Sequence, residues 1–525
     1  MAEDNGSQVF TLAEAARFVR VSEKTLRELA SSGKVPAQKV GRAWRFLRAA
    51  LEGWLAQREP ASAGPAPAEP HPARPVEPPP PVADGGAGRT GFGDTAFTKN
   101  RSQPLHRWVP WIAGFSASFV GGVLEAASER DPAEVTVLDP FAGVGTTLVE
   151  AMDRGYDSIG FEINPYAALA CRAKVSCLGY DLGVLRDAIG AFRAHMAVRA
   201  RRVPRSRPPA EFASRAPFFS PAVERKVLHA LDFIAERPEG WVADVFRVAL
   251  GAVMVGFSNY SYEPSLGRRA SAGKEDILDA DVAGAVAAKL DEMATDVAQV
   301  QLHARTLGRR PQAQVHCESF LTGHRRVPAE SVAFLITSPP YLNNYHYVRN
   351  TRPHLFWLGL VERRARLAEM EQLSFGKFWQ TVRGAAPIAL EARCDELAGQ
   401  LDELRRLHPE KGIYGGSGWA NYAAAYFNDC LAFCRAARHV MRPGGTAVVV
   451  IGNNILQGIE FRTDRYFARI AEGCGFETVE FHPVRRKRTG SSIIRSSVRV
   501  GNARGPVELY ETAVELRAVP AKRRR

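Results

Sequence analysis

Apolar positions recur with two different periods along this chain. Near the start, Leu12, Ala15, Ala16 and Val19, then Leu26 and Leu29, fall three or four apart, the spacing of a buried helix face. Thr11-Leu-Ala-Glu14 reads as a capping box that opens the first helix. Ser22 caps a second helix carrying Lys24, Thr25 and Arg27 on its polar side, and Gly33 stops it. The run Val35 to Phe46 predicts a two-stranded wing turning at Gly41-Arg42, followed by a helix holding Leu47, Leu51, Trp54 and Leu55. Further on, the period changes. Short apolar, β-branched runs at Val135–Asp139, Ser158–Glu162 and Val332–Thr337 each end abruptly in a polar turn, as buried parallel strands do.

Between these two regions the pattern disappears. Residues 59–93 are nearly all Pro, Ala, Gly and Glu, with four prolines at 78–81, and bury too little apolar surface to fold. The expected organisation is a module at 1–58, a semi-rigid linker at 59–93, a large domain at 94–519 and a basic tail at 520–525. Two mostly helical insertions, 181–310 and 361–416, interrupt the large domain. The first includes the polar loop Ser258–Arg269 with Arg268 and Arg269, and a basic turn follows at Arg485–Ser492.

Composition narrows the class. The 525 residues are 46% hydrophobic and 24% charged, ordinary for a globular protein. Lys and Arg number 69 against 56 Asp and Glu, a formal charge of +13. That surplus suits a polyanionic partner as well as it suits a solvated basic surface. Seven scattered cysteines without paired CxxC spacing argue against a disulfide framework or a zinc site, and His303, His316 and His324 lack metal-ligand spacing. No metal is expected. The start lacks a signal-peptide pattern, and the longest apolar stretch, Val248 to Phe257, is too short for a bilayer. A cytoplasmic protein without a membrane partner is expected.

Two motifs carry chemistry. In Asp139-Pro140-Phe141-Ala142-Gly143-Val144-Gly145-Thr146-Thr147, a strand ends in an acid and a glycine turn leads into a helix near Thr146. Backbone at Gly143 and Gly145 can approach a ligand closely. There is no lysine for a phosphate-cradling P-loop, and Leu148 stands where a dinucleotide fingerprint wants its third glycine. Downstream, Glu162 ends the next strand, placed to accept hydrogen bonds from ribose hydroxyls, with Asn164 two residues on. A nucleoside-bearing cofactor without a pyrophosphate fits, and S-adenosylmethionine meets that description. The second motif is Ser338-Pro339-Pro340-Tyr341. Its prolines fix the backbone. A serine oxygen and a proline carbonyl can accept the two hydrogens of a conjugated amine, aiming its lone pair, while the tyrosine ring stacks on the base. Such an amine is inaccessible inside a duplex, so the base must be flipped out.

Together these motifs resemble those of the amino-methylating DNA methyltransferases. The resemblance implies an α/β fold: a Rossmann-like S-adenosylmethionine-dependent methyltransferase sheet with helical insertions. It extends to Thr98–Trp111, similar to the segment beside the cofactor's methionine end, and to Arg442–Asn454 and Tyr510–Leu516 as later strands. Glu318, in His316-Cys-Glu-Ser-Phe320, stands where the family has Asp and would contact the adenine amino group. Implied cofactor contacts are Asp139, Pro140, Phe141, Gly143, Gly145, Thr146, Thr147, Glu162, Asn164 and Glu318, and implied catalytic residues are Ser338 to Tyr341. Trp108, Phe115 and Trp357 read as packing residues.

The first module resembles the winged helix-turn-helix of excisionase and MerR-like proteins, whose second helix enters the major groove while the wing meets phosphates. Those roles fall on Ser22, Lys24, Thr25 and Arg27, and on Arg42 and Arg45; a helical adaptor with solvated charges is the competing reading. The partners implied are double-stranded DNA and a restriction endonuclease. Ser-Pro-Pro-Tyr favours N4 of cytosine over N6 of adenine. The alternatives are an adenine enzyme, a methyltransferase for RNA or protein glutamine, and an inactive DNA-binding regulator. A C5-cytosine enzyme needs a cysteine nucleophile, and no cysteine lies near the Ser338 loop. The insertions are candidates for target recognition.

Overall fold

The computed structural model describes residues 9–19, 21–31, 35–40, 43–48, 50–51, 97–111, 114, 116–125, 130–199, 202–237, 239–262, 265–342, 346–487 and 509–520. The chain divides into two compact units, Met1–Gly86 and Ala87–Arg525.

The first unit has α1 (Leu12–Phe18) and α2 (Glu23–Ser31) beside a three-stranded sheet of β1 (Val9–Thr11), β2 (Gln38–Val40) and β3 (Ala43–Leu47), ordered β1-β3-β2. The capping box forms as expected: the Glu14 amide donates to the Thr11 hydroxyl, and the Glu14 carboxylate accepts from the Thr11 amide at 2.8 Å. Ser22 caps α2 by accepting from the Thr25 amide at 3.1 Å. Two details differ from expectation. Val9–Thr11 adds a strand, and Leu47 ends β3 opposite Val9 instead of opening a helix, because pairing there completes the backbone hydrogen bonds. Ala15, Ala16, Leu26, Phe46 and Leu51 form the small core. The wing's Gly41-Arg42 turn, Trp54, Leu55 and the linker lie outside the described residues.

The second unit is built on a seven-stranded sheet: β4 (Thr136–Asp139), β5 (Asp157–Phe161), β6 (Ala313–His316), β7 (Val332–Thr337), β8 (Met441–Gly452), β9 (Phe476–Lys487) and β10 (Leu509–Ala518), in the order β9-β10-β8-β7-β4-β5-β6. Neighbours from β6 to β8 run parallel, and β10 is antiparallel to both β8 and β9. This is the doubly wound, Rossmann-like methyltransferase sheet expected, with β8 and β10 where the sequence put them. The order reverses between β4 and β7, and ligands bind in such a crevice at the carboxyl ends of the strands. All six residues of β7 are buried, as a central parallel strand requires.

The first insertion is helical, with Leu182–Arg199, Pro221–Ala235, Trp241–Met254 and Val282–Ala304 packed through Phe192, Phe233 and Phe246. Its polar loop carries a short hairpin, Tyr260–Tyr262 with Leu266–Arg268. The insertion also anchors the segment before β4. The fully buried Asp296 carboxylate accepts from the Leu105 amide (2.9 Å), the Trp108 indole (3.0 Å) and the Arg107 guanidinium, whose Nε lies at 3.1 Å. Trp108 is wholly buried, a packing residue as expected, as is Trp357; Phe115 is outside the described residues. Replacing Asp296 by Ala strands three donors, and breaking a buried pair of this kind costs about 3 kcal/mol. Denaturant titration of D296A against the unaltered protein is expected to show that loss, with Thr295→Ala, on the exposed side of the helix, within about 0.5 kcal/mol.

Candidate active site

The two chemical motifs meet at the sheet's reversal point. β4 and β7 are in register with Leu138 beside Leu335, so their carboxyl ends, Asp139 and Thr337, are neighbours. The Asp139 carboxylate is fully buried and accepts from the Thr337 hydroxyl (2.6 Å), the Thr147 hydroxyl (2.6 Å) and the Phe141 amide (3.0 Å). Burial pushes its pKa up to about 6 against the pull of those donors. Asp139 thus ties the glycine turn, the helix α3 (Thr146–Asp153) and the end of β7 together beneath the site. It does not line the cavity above, and neither do Thr147 and Gly145.

The turn itself is built for close approach. Gly143 has φ +52, and a Cβ there would sit 3.4 Å from the Trp111 indole nitrogen. Gly145 has φ +90, and a Cβ would come within 2.7 Å of the Cys171 sulfur. L side chains rarely adopt either conformation. The buried Lys174 donates to the Val144 carbonyl at 2.9 Å, and burial pushes its pKa down to about 7.

Above the turn lies a cavity enclosing about 1050 Å³ of empty space, mouth included. Pro140, Phe141, Gly143, Thr146, Glu162, Asn164, Glu318, Ser338 and Pro340 all reach it. Residues nearly two hundred positions apart therefore share one chamber. Glu162 accepts from the Gly143 amide (2.9 Å) and the Asn164 amide (2.7 Å), which leaves lone pairs on both oxygens. Burial first, with the charge of Asp139 adding to it, pushes its pKa up to about 7. A nucleoside fits this donor set: a carboxylate for the ribose hydroxyls, open backbone at Gly143, and aromatic walls at Phe141 and Phe161. Glu318 lines the cavity but is ion-paired with Arg326, so an adenine amino group must share that carboxylate. Asn164 is committed locally. It caps α4 (Pro165–Val175) by accepting from Tyr166 and Ala167, and donates to Thr351 at 2.7 Å.

Ser338 and Pro340 face the cavity, whereas Pro339 is buried. Tyr341, like Pro339, is not among the residues lining the cavity; burial holds its phenol well above its ordinary pKa, with the Ser338 hydroxyl nearby pulling the other way. Its ring lies against Gly452, where a Cβ would come within 3.3 Å.

Several lining residues had no sequence assignment. Trp111 stacks on Tyr347 (ring centroids 6.1 Å apart, 17° between planes) at the cavity wall. Glu371, Ser374, Phe375 and Phe378 come from the second insertion, and Phe375 meets Phe141 edge-on at 5.1 Å. The 98–111 resemblance was the signal for Trp111; nothing local marked the others. Among the expected DNA contacts, Ser22, Thr25 and Arg27 are exposed on α2, and the first two are hydrogen-bonded to each other at 2.7 Å. Arg45 donates to the Trp44 carbonyl at 3.0 Å. The Lys24 side chain and all of Arg42 fall outside the described residues. Arg268 pairs with Asp276 at 3.8 Å, and Arg269 donates to the Glu275 carbonyl at 2.8 Å, so both are tied to an adjacent acidic segment. No His, Cys, Asp and Glu group suited to a metal occurs among the described residues, and none of their helices is long and apolar enough to cross a membrane.

The raised pKa of Glu162 fixes the sign of two pH effects. The folded protein holds a proton that the unfolded chain releases near pH 4, so this group's stabilising effect is present below about pH 4 and lost as pH rises through about 7. Ribose hydroxyls favour the ionised form, so affinity runs the other way. Calorimetric titration with S-adenosylhomocysteine is expected to show about fourfold tighter binding at pH 8.5 than at pH 6.5. Glu162→Gln should bind about ten- to a hundredfold more weakly and lose the pH step.

Known proteins share these segments. Residues 9–59 match a helix-turn-helix domain family, and residues 122–171 match the N6/N4 DNA methylase family. The Type II methyltransferase M.BsoBI of Geobacillus stearothermophilus is 22% identical over 76% of this chain and 83% of its own length. M.AvaI of a Nostoc species is 23% identical over 73% of this chain and 81% of its own. Among solved structures, the rRNA methyltransferase aviRa of Streptomyces viridochromogenes aligns over 78% of this chain and 87% of its own at 10% identity. Its TM-score of 0.26 carries no argument, and the fold rests on the strand order. By its matched segments and by relatives that align over about three quarters of it, this chain is related to the amino-methylating DNA methyltransferases, whose methyl donor is S-adenosylmethionine, and it carries an N-terminal helix-turn-helix domain.

Proposed function

We propose that the chain is a site-specific DNA methyltransferase acting on the exocyclic amine of a flipped base, N4 of cytosine in preference to N6 of adenine. The observation that carries this is the shared cavity: Ser338 and Pro340 open into the same chamber as Gly143 and Glu162. When bound there, S-adenosylmethionine supplies an electrophilic methyl group. The protein's part is orientation. The Ser338 hydroxyl and the Pro339 carbonyl accept the two amine hydrogens, which draws the nitrogen toward sp³ and frees its lone pair. Tyr341 provides the stacking face, and Trp111 with the Phe375 and Phe378 wall excludes water.

Serine at the first motif position supports cytosine. The helix-turn-helix domain supports DNA as substrate, since a second binding module on a Pro-rich tether raises the local concentration of DNA at the catalytic unit. The likeness to Type II methyltransferases supports modification alongside a restriction endonuclease. In this reading Ser22, Lys24, Thr25, Arg27, Arg42 and Arg45 meet DNA in the first unit. Arg268 and Arg269 grip phosphate once released from Asp276 and Glu275.

Nucleoside mass spectrometry of DNA incubated with the protein and labelled S-adenosylmethionine tests this. Labelled N4-methylcytosine is the expected product; N6-methyladenine keeps the mechanism and corrects the base, and no labelled base overturns the assignment. Tyr341→Ala is expected to lose at least about a hundredfold in turnover while S-adenosylhomocysteine affinity stays within about twofold.

A further inference from the structure

A second cavity adjoins the first, on the far side of the Trp111–Tyr347 stack. It encloses about 750 Å³ of empty space, mouth included, between α4, the helix Trp241–Met254 and the helix Tyr347–Trp357. Its walls are aromatic: Trp111, Tyr166, Tyr262, Tyr347 and His354 all face it. Tyr166 and His354 stack at 4.5 Å.

The polar atoms here are few and specific. Asn350 is spent on the Leu266 amide (2.7 Å) and the His346 carbonyl (2.8 Å), and Thr351 on Asn164 and the Tyr347 carbonyl. Two buried atoms make no hydrogen bond of ordinary geometry, the Tyr166 hydroxyl and His354 Nδ1, the His354 ring also standing near the Thr351 carbonyl of its own helix. Tyr166 is 2% exposed and His354 5%. The His354 Nε2 lies 3.1 Å from the Gly251 carbonyl, which only accepts, so Nε2 carries the proton and Nδ1 is an acceptor. Burial keeps this ring neutral, with its pKa pushed down to about 4. An unmade hydrogen bond on a buried hydroxyl costs about 1–3 kcal/mol, so an orphan inside a chamber points to a ligand that completes it.

We infer that this second cavity binds a neutral planar heterocycle of the nucleobase class, stacked on its aromatic walls and hydrogen-bonded to the Tyr166 hydroxyl and His354 Nδ1. None of the described lining residues is Asp, Glu, Lys or Arg, so a phosphate, carboxylate or ammonium ligand finds no counter-charge. A heterocycle carrying one acceptor and one donor along an edge matches the two orphan atoms, and each π face finds a partner. The source is either a second base displaced from the duplex or a free nucleoside. The site depends on its own geometry and not on which base is methylated.

The test uses the full chain with S-adenosylhomocysteine saturating the first cavity and the fluorescent probe 2-aminopurine riboside. Saturable quenching is expected. Tyr166→Phe, which removes one oxygen, should weaken it about five- to tenfold. Ala252→Leu, which fills the chamber from its wall, should abolish it while S-adenosylhomocysteine still binds normally. A parallel arm uses duplex DNA containing 2-aminopurine. A fluorescence change lost in A252L identifies a displaced base, whereas riboside binding with an unaltered DNA signal identifies a free nucleoside. Absence of saturable riboside binding by the unaltered protein overturns the inference, as does equal affinity in an A252L protein that binds S-adenosylhomocysteine. Methylation of DNA is scored separately, so a failure here leaves the proposed activity standing.

Discussion

The Asp139 carboxylate lies where a strand end, a glycine turn, a helix start and a second strand end must all coincide. Burying a carboxylate is costly unless its oxygens are occupied, and here one oxygen takes the Thr337 hydroxyl and the Phe141 amide while the other takes the Thr147 hydroxyl. Hydroxyl contacts of 2.6 Å are the length of charge-assisted bonds. Thr337 immediately precedes Ser338, and Phe141 opens the glycine turn, so one anion sets the spacing between that turn and the Ser338–Tyr341 corner. Titration near pH 6 does not by itself break this joint. Thr147 also lies 3.3 Å from the Ile336 carbonyl, so its proton has a second acceptor on β7 when Asp139 takes up a proton.

The helical insertion is part of the same construction. Asp296 fixes residues 105–108, which places Trp111 over Gly143 and against Tyr347. A wall of the cofactor cavity is thereby held from a helix some two hundred residues further along the chain. The second insertion closes the opposite side with Phe375, which touches both Phe141 of the turn and Phe433 of the helix Gly416–Val440. The two insertions thus also serve as cavity walls, which couples any movement they make to the geometry of the cavity.

What could be read from the sequence was what is local in it. The turn from Asp139 to Thr147 and the Ser338–Tyr341 corner are short stretches whose residue types are set by their own backbone conformations. Strand ends, caps and the spacing to Glu162 follow from the same local rules. Phe375 and Asp296 were not legible, because each owes its role to a partner far along the chain and no short pattern encodes that. Asp139 shows the other limit. Its position was evident, yet only the fold shows which donors occupy its two oxygens.

The nearness of Ser338 to Tyr341 bears on how the proposed catalytic corner would receive a base. A serine hydroxyl facing an open cavity would be hydrated, and an arriving amine would have to strip that water. Here the Tyr341 phenol stands beside the hydroxyl, and its ring rests on Gly452 with no room for a side chain between. A hydroxyl that donates to that phenol still accepts an amine hydrogen, since it donates once and accepts twice. The pair can therefore keep its orientation while the base enters, and the entropy of fixing both side chains is spent during folding instead of during catalysis. This makes the absence of a side chain at Gly452 as much a part of the Ser338–Tyr341 corner as the two prolines.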